Sequence, residues 1–274
     1  MHKPYVDLHV HTYHSDGSMS PEEIVAEAVS NGVGMISVTD HNTIDGNRLM
    51  RKLCQENNIH YIPGVEICTM TNGDYQHILA YGFDDENCDF VDFIKHMRFL
   101  LDEMSVKLVE LMQSDYPNVS IDDYFAFTHD RKLGGWKMLI YLVEKGITSS
   151  MHEGMRFYTD YGVRFDQFGF STIAATVYRI KQAGGCSVLA HPGETIGSSD
   201  IFRFKDELKR IVSYGIDGIE CYYPKHTEEV TQACIEICNA SDLMITAGSD
   251  CHGSFLKARV GEMNITKDKI RLRL

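Results

Sequence analysis

At 274 residues, with 43% hydrophobic and 24% charged side chains, the chain is long enough for a substantial buried core and ordinary for a globular protein. Its net charge of −13, from 26 basic and 39 acidic residues, argues against the cationic surface that binds duplex nucleic acid, though not against small anionic substrates, since bound divalent ions reverse a local field. The eight cysteines form no CxxC pair and no disulfide framework, the opening residues lack a signal-peptide core, and no run of roughly 18 apolar residues occurs, so a reduced, cytoplasmic, membrane-free setting is expected.

In chain order, apolar and β-branched runs predict strands at 5–10 (YVDLHV), 34–40 (GMISVTD), 60–67 (HYIPGVEI), 77–83 (HILAYGF), 186–191 (CSVLAH), 215–222 (GIDGIECY) and 243–250 (LMITAGSD). Between the first two, SPEEIVAEAVSNG reads as a capped helix, with Ser20 ahead of Pro21, Glu22 and Glu23 at the positive end and Gly32 past the close. Residues 227–241 carry Val230, Ala233, Cys234 and Ile237 on one helical stripe. Strand–helix alternation of this kind predicts an α/β fold of parallel architecture, and about seven strands favour a barrel. Residues 88–182 interrupt the rhythm with helical segments alone. They are expected to form a helical insertion covering the active site, with 1–87 and 183–274 making the barrel.

Histidines and carboxylates fall at the strand ends. His9 and His11 lie two apart on the first strand and so point the same way, with Asp16 in the loop that follows. Asp40 and His41 close the second strand, Glu66 lies in the third, His77 opens the fourth, His191 ends the fifth, and Asp250 and His252 end the last. C-terminal strand ends of a parallel barrel converge on one face, where active sites are built. A single such histidine is more often a core or surface residue, and Asp40 alone could be a helix cap. As an ensemble, buried together, they are most economically satisfied by shared divalent metals. Imidazole mixed with carboxylate suits Zn, Mn or Fe rather than Ca.

The segments DLHVHTYHSDG, VTDHN, GVE, HILAYGF, AHP and GSDCH, in that order from residue 7 to residue 252, resemble the motif series of the PHP (polymerase and histidinol phosphatase) superfamily of metal-dependent phosphoesterases. The helical insertion and GIECYYPKHTEE look most like the branch that includes nucleotide phosphatases and small ribonuclease-like enzymes. The resemblance implies a distorted (β/α)7 barrel holding two or three Mn, Zn or Fe ions. It assigns His9, His11, Glu66 and Asp250 to one ion, Glu66 as a bridge with His77 and His191 to a second, and Asp16, His41 and His252 to a third. It implies hydrolysis of a phosphate monoester of a small metabolite or nucleotide by a metal-bridged hydroxide. Asp16 and Glu66 would serve catalysis, with His226 as leaving-group acid or phosphate contact. Asp40, beside His41, would support the ligands; Asp7 and His14 stand as bystanders or as supports of the ligands, His14 in a turn from which it could still meet substrate.

The arginine-bearing R-P-H-like motif of that branch has GGWKML in its place, so Lys137 would supply a point charge instead of a bidentate fork. Arg98, Arg131 and Lys132 are further candidate phosphate clamps, and HPGETI carries no cation after His191. Two rival readings are a histidinol-phosphate phosphatase and a non-catalytic metal-binding regulatory module.

Overall fold

The computed structural model describes residues 4–197 and 199–274. Among these, eight strands form: β1 (Tyr5–Val10), β2 (Val33–Val38), β3 (His60–Tyr61), β4 (Gly64–Thr71), β5 (Asp74–Tyr81), β6 (Cys186–Leu189), β7 (Gly218–Tyr222) and β8 (Met244–Ala247). β1, β2 and β3 pair in parallel as one sheet, and β4 to β8 follow in chain order as a second. Backbone hydrogen bonds join the sheets at both seams. His11 N–H donates to Cys251 O (2.9 Å) and Asp250 N–H to His9 O (2.8 Å), tying β1 to the chain beyond β8. Asn42 N–H donates to Glu66 O (2.8 Å), tying the chain beyond β2 to β4. The ring so formed is the expected distorted α/β barrel. Val6, Leu8, Met35, Leu79, Tyr81, Val188 and Met244, from five different strands, meet in one buried cluster inside it.

Two details depart from the sequence reading. The strand predicted over 60–67 is broken at Pro63, which lacks an N–H and restrains Ile62, so β3 ends in the first sheet and β4 starts the second. Asn72 and Gly73 both hold positive φ (54° and 89°), as a two-residue type I′ hairpin turn requires, and make β5 antiparallel to β4. The strand expected from residue 77 therefore starts at Asp74 and runs the other way. Because of that reversal its first half, and His77 with it, lies beside the C-terminal half of β4, where Cys68 faces His77.

The helices are α1 (Pro21–Ser30), α2 (Asn47–Glu56), α3 (Cys88–Met112), α4 (Ile121–Ala126), α5 (Lys137–Glu144), α6 (Met151–Gly154), α7 (Arg156–Asp160), α8 (Ile173–Gln182), α9 (Pro192–Thr195), α10 (Ile201–Val212) and α11 (Glu228–Ala240). A capping box starts α1: Glu23 N–H donates to Ser20 Oγ and Ser20 N–H to the Glu23 carboxylate. α1 and α2 cover the first sheet. Residues 88–182 hold six helices and no strand among the described residues. The 25-residue α3 buries Phe90, Ile94, Met97, Met104, Leu108 and Met112 along one stripe. At about 1.5–3 kcal/mol per large apolar side chain, that stripe anchors the segment to the core it shares with the outer faces of β4 and β5. α8 packs directly on β4, β5 and β6.

Candidate metal centre

All nine side chains singled out as metal ligands converge at one mouth of the barrel. Glu66, wholly buried in mid-β4, is the hub. Its Oε1 lies 2.8 Å from His77 Nδ1 and 3.0 Å from His191 Nε2. Its Oε2 lies 3.3 Å from His9 Nε2, 3.2 Å from His11 Nε2 and 3.1 Å from His41 Nδ1. Asp250 Oδ1 approaches His9 Nε2 at 3.3 Å and His11 Nε2 at 3.2 Å. Asp16 Oδ2 sits 3.4 Å from His252 Nε2 and 3.8 Å from His41 Nε2. Potential ligand atoms fall into close groups, among them His9, His11 and Glu66; Glu66, His77 and His191; and His11, Asp16, His41 and His252. His191 (φ 28°) and Asp250 (φ 54°) hold left-handed backbone that costs roughly 1–2 kcal/mol each, strain concentrated where the functional side chains must be aimed.

Neighbouring hydrogen bonds point the ring nitrogens inward. His9 Nδ1 faces both oxygens of Glu220 (3.1 and 3.2 Å), turning Nε2 to the centre. His252 Nδ1–H donates to the Asp250 carbonyl (2.8 Å), turning Nε2 to Asp16. Asp40 accepts from Thr12 N–H (2.8 Å), Thr12 Oγ1 (2.7 Å) and Ser15 Oγ (2.6 Å), and so shapes the loop that presents Asp16. Asp7 accepts from Ser249 N–H (2.9 Å) and Gly261 N–H (2.7 Å), a structural tie; burial pushes its pKa up to about 6 against those bonds.

The donor set fits divalent cations. His9 Nε2 and His11 Nε2 stand 3.1 Å apart, and Glu66 Oε2 and His41 Nδ1 are buried without a hydrogen-bond partner although other nitrogens are near. These atoms aim into shared space, where only positive charge satisfies them. Burial opposes charge on His11, yet Asp250, Glu66 and Asp16 pull its pKa up to about 10. Burial would raise the Asp16 and Glu66 carboxyls, but the surrounding imidazoles hold both far below the usual range.

Beside the centre opens a cavity of about 360 Å³. Trp136, 5.4 Å from the His41 ring, forms the wall between them. Gly135 N–H donates to Asp16 O (2.7 Å), fixing that turn to the ligand loop. Arg98, Arg131 and Lys137 line the cavity against one carboxylate, Asp102, a cationic recess in an acidic chain. Arg98 stacks on Trp136 (5.3 Å) and its Nη1 is buried without a partner; Lys137 stands over the Tyr124 ring (4.6 Å). Lys132 instead pairs with Glu23 (2.8 Å). Both His226 nitrogens are engaged: Nδ1–H donates to Cys221 O and Nε2 accepts from Gly193 N–H, each at 3.0 Å. In this arrangement neither is offered to a substrate. Burial lowers its pKa, in keeping with a neutral ring that ties the start of α9 to the end of β7.

Residues 7–214 match the PHP domain family model. The chain belongs to the PHP domain family. It is 29% identical over 257 residues to a 5′-3′ exoribonuclease of Haemophilus influenzae, covering 92% of this chain and 91% of that protein. It is 27% identical over 266 residues to a phosphoribosyl 1,2-cyclic phosphate 1,2-diphosphodiesterase of Eggerthella lenta, covering 91% and 94%. Its fold superposes with a TM-score of 0.78 on a solved structure from Bifidobacterium adolescentis, provisionally classed as a metal-dependent phosphoesterase, at 24% identity and covering 97% and 93%. As a PHP protein the chain is a metal-dependent phosphoesterase. No helix among the described residues is long and apolar enough to cross a membrane.

Four residues of this PHP site escaped the sequence reading. Glu220 orients His9 and also accepts the His191 backbone N–H (2.8 Å). Cys68 and Tyr75 flank His77, with Tyr75 Oη 2.6 Å from His77 Nε2. Burial works against a Cys68 thiolate, but His77 and His41 bring its pKa down to about 6. Trp136 forms the cavity wall. Cys68 and Tyr75 each share strand parity with a site residue, Glu66 on β4 and His77 on β5, the available signal; Glu220 and Trp136 carried none beyond their places in GIECYY and GGWKML.

Proposed function

We propose that the chain hydrolyses a phosphate monoester on a nucleotide or comparable small metabolite. The observation that carries the reading is Glu66, whose two oxygens face two separate sets of imidazoles, in a centre that lies beside a cationic and aromatic recess. Such a carboxylate is suited to bridging two ions, with His9, His11 and Asp250 on one side, His77 and His191 on the other, and Asp16, His41 and His252 holding a third. When bound, divalent ions would act as Lewis acids on the phosphate and bring the pKa of water towards neutrality.

The chain's own residues do the rest. Asp16 and Glu66 would supply the anionic charge that holds the ions, Glu220 and Tyr75 keep the imidazoles turned inward, and Arg98 and Lys137 neutralise the phosphate oxygens. Trp136 and Tyr124 offer flat faces to a base or sugar. A cavity of this size suits a nucleotide-scale ligand. The two relatives, an exoribonuclease and a phosphoribosyl cyclic phosphate diesterase, support a ribose phosphate as the substrate.

The test is a panel of nucleoside monophosphates and bisphosphates, sugar phosphates, histidinol phosphate, cyclic phosphates and a short 5′-phosphorylated oligoribonucleotide, run with Mn, Zn and Fe in turn. Release of inorganic phosphate from a nucleotide is expected. Cleavage of diesters alone would replace the monoester reading, and no cleavage of any member would refute it.

A further inference from the structure

We propose that Cys68 is an additional ligand of the metal centre, a thiolate donor standing beside His41 and His77. The proposal rests on reading the cluster as a metal centre. Cys68 follows Glu66 by two positions on β4, so both side chains share the inward face, and it lies directly across from His77 on β5. It is 1% exposed. Its sulfur and one nitrogen each of His41 and His77 all lie within 4.8 Å of one another. Zinc binds thiolate at about 2.3 Å and imidazole at about 2.0 Å, so a sulfur this close to His77 can join the ion that His77 would hold. Independently, His41, itself more than nine-tenths buried, has Nδ1 without a hydrogen-bond partner.

Tyr75 supplies the sense of the donors. Its Oη lies 2.6 Å from His77 Nε2 and 3.1 Å from Cys68 Sγ. With Nδ1 given to an ion, His77 carries its proton on Nε2 and donates it to Tyr75 Oη. The phenol hydrogen is then directed to Cys68 Sγ, which accepts. An accepting sulfur facing imidazoles is the arrangement of a thiolate ligand. Cys54, by contrast, is buried among the aliphatic side chains under α1 and α2. A soft donor in the set favours zinc, iron or cobalt over manganese.

The experiment loads the chain with Co(II), counts bound cobalt by elemental analysis and records its absorption. The wild type and Cys54→Ser should show a sulfur-to-cobalt charge-transfer band in the near ultraviolet. Cys68→Ser should lose that band while keeping the visible cobalt bands, and its preference for zinc over manganese should fall about tenfold or more. Bound cobalt without the sulfur band in the wild type, or a band surviving in Cys68→Ser, overturns thiolate ligation and leaves the centre standing. Absence of any bound cobalt overturns both. Zinc-edge X-ray absorption on the unaltered chain makes the same decision without a variant: a sulfur neighbour at about 2.3 Å supports the proposal, and its absence refutes it.

Discussion

Replacing Glu220 separates the positioning of the metal ligands from their chemistry. Its carboxylate is fully buried and serves two donors, His9 Nδ1–H and the His191 backbone N–H. Glu220→Ala leaves both without a partner, and at about 1–3 kcal/mol for each buried unsatisfied group the loss is roughly 2–6 kcal/mol. That is a large part of the 5–15 kcal/mol typical of a folded domain. Glu220→Gln keeps the volume and one accepting oxygen but sets an amide NH₂ where an oxygen now faces His9 Nδ1. The fold should persist while the ring of His9 is less firmly held. Disturbing such a supporting carboxylate weakens metal binding about 10- to 100-fold, or about 1.4–2.8 kcal/mol. Zinc affinity by chelator competition reads this directly, with urea unfolding as the control for the fold. Wild-type affinity in Glu220→Gln, or wild-type stability in Glu220→Ala, would refute the reasoning.

Other expectations follow from the same geometry. A methyl on Gly248 would meet His9 Cβ at 2.2 Å and Glu220 Oε1 at 2.5 Å, so Gly248→Ala should cost about 1–3 kcal/mol and lower the melting temperature by at least about 2 °C; calorimetry showing no change would contradict this packing. Trp136→Ala and Lys137→Ala should raise KM about tenfold with a smaller effect on kcat, since both groups face the recess and do not touch Glu66; steady-state kinetics that lose kcat alone would remove them from substrate binding. Arg98→Ala should behave likewise, whereas Arg98→Lys should recover little, because a lysine lacks the planar face stacked on Trp136. His226→Gln should leave the pH–rate profile of kcat unchanged, in keeping with ring nitrogens engaged by Cys221 and Gly193, and loss of one limb of that profile would restore the leaving-group acid.

Much of the centre was legible because its ligands sit in local patterns. His9 and His11 share a strand face, while Asp40–His41, His191 and the Asp250–His252 pair follow apolar runs whose ends had to converge. The supporting residues were harder to see, because their roles depend on distant pairing. Glu220 meets His9 across 211 positions, through the seam between β8 and β1. The hairpin was legible in principle from Asn72–Gly73, and Pro63 marked the break between β3 and β4, but apolar content alone made one strand of 60–67. A parallel strand opening at His77 would have carried that ring to the opposite end of the barrel; the reversal of β5 is what brings it to the mouth beside Cys68. Cys68 carried no signal in the sequence beyond its parity with Glu66. Its setting between two imidazoles and a phenol arises only once β4 and β5 pair.

The central claim is that Glu66 ties a divalent metal centre to phosphoester hydrolysis. Elemental analysis of the purified chain and of Glu66→Ala, paired with phosphate release before and after chelation and reloading, tests it most directly. The account predicts at least two ions per wild-type chain, activity lost on chelation and recovered on reloading, and a variant that loses metal and activity together. A Glu66→Ala chain with full activity, or a chelated wild type that still hydrolyses substrate, would contradict it.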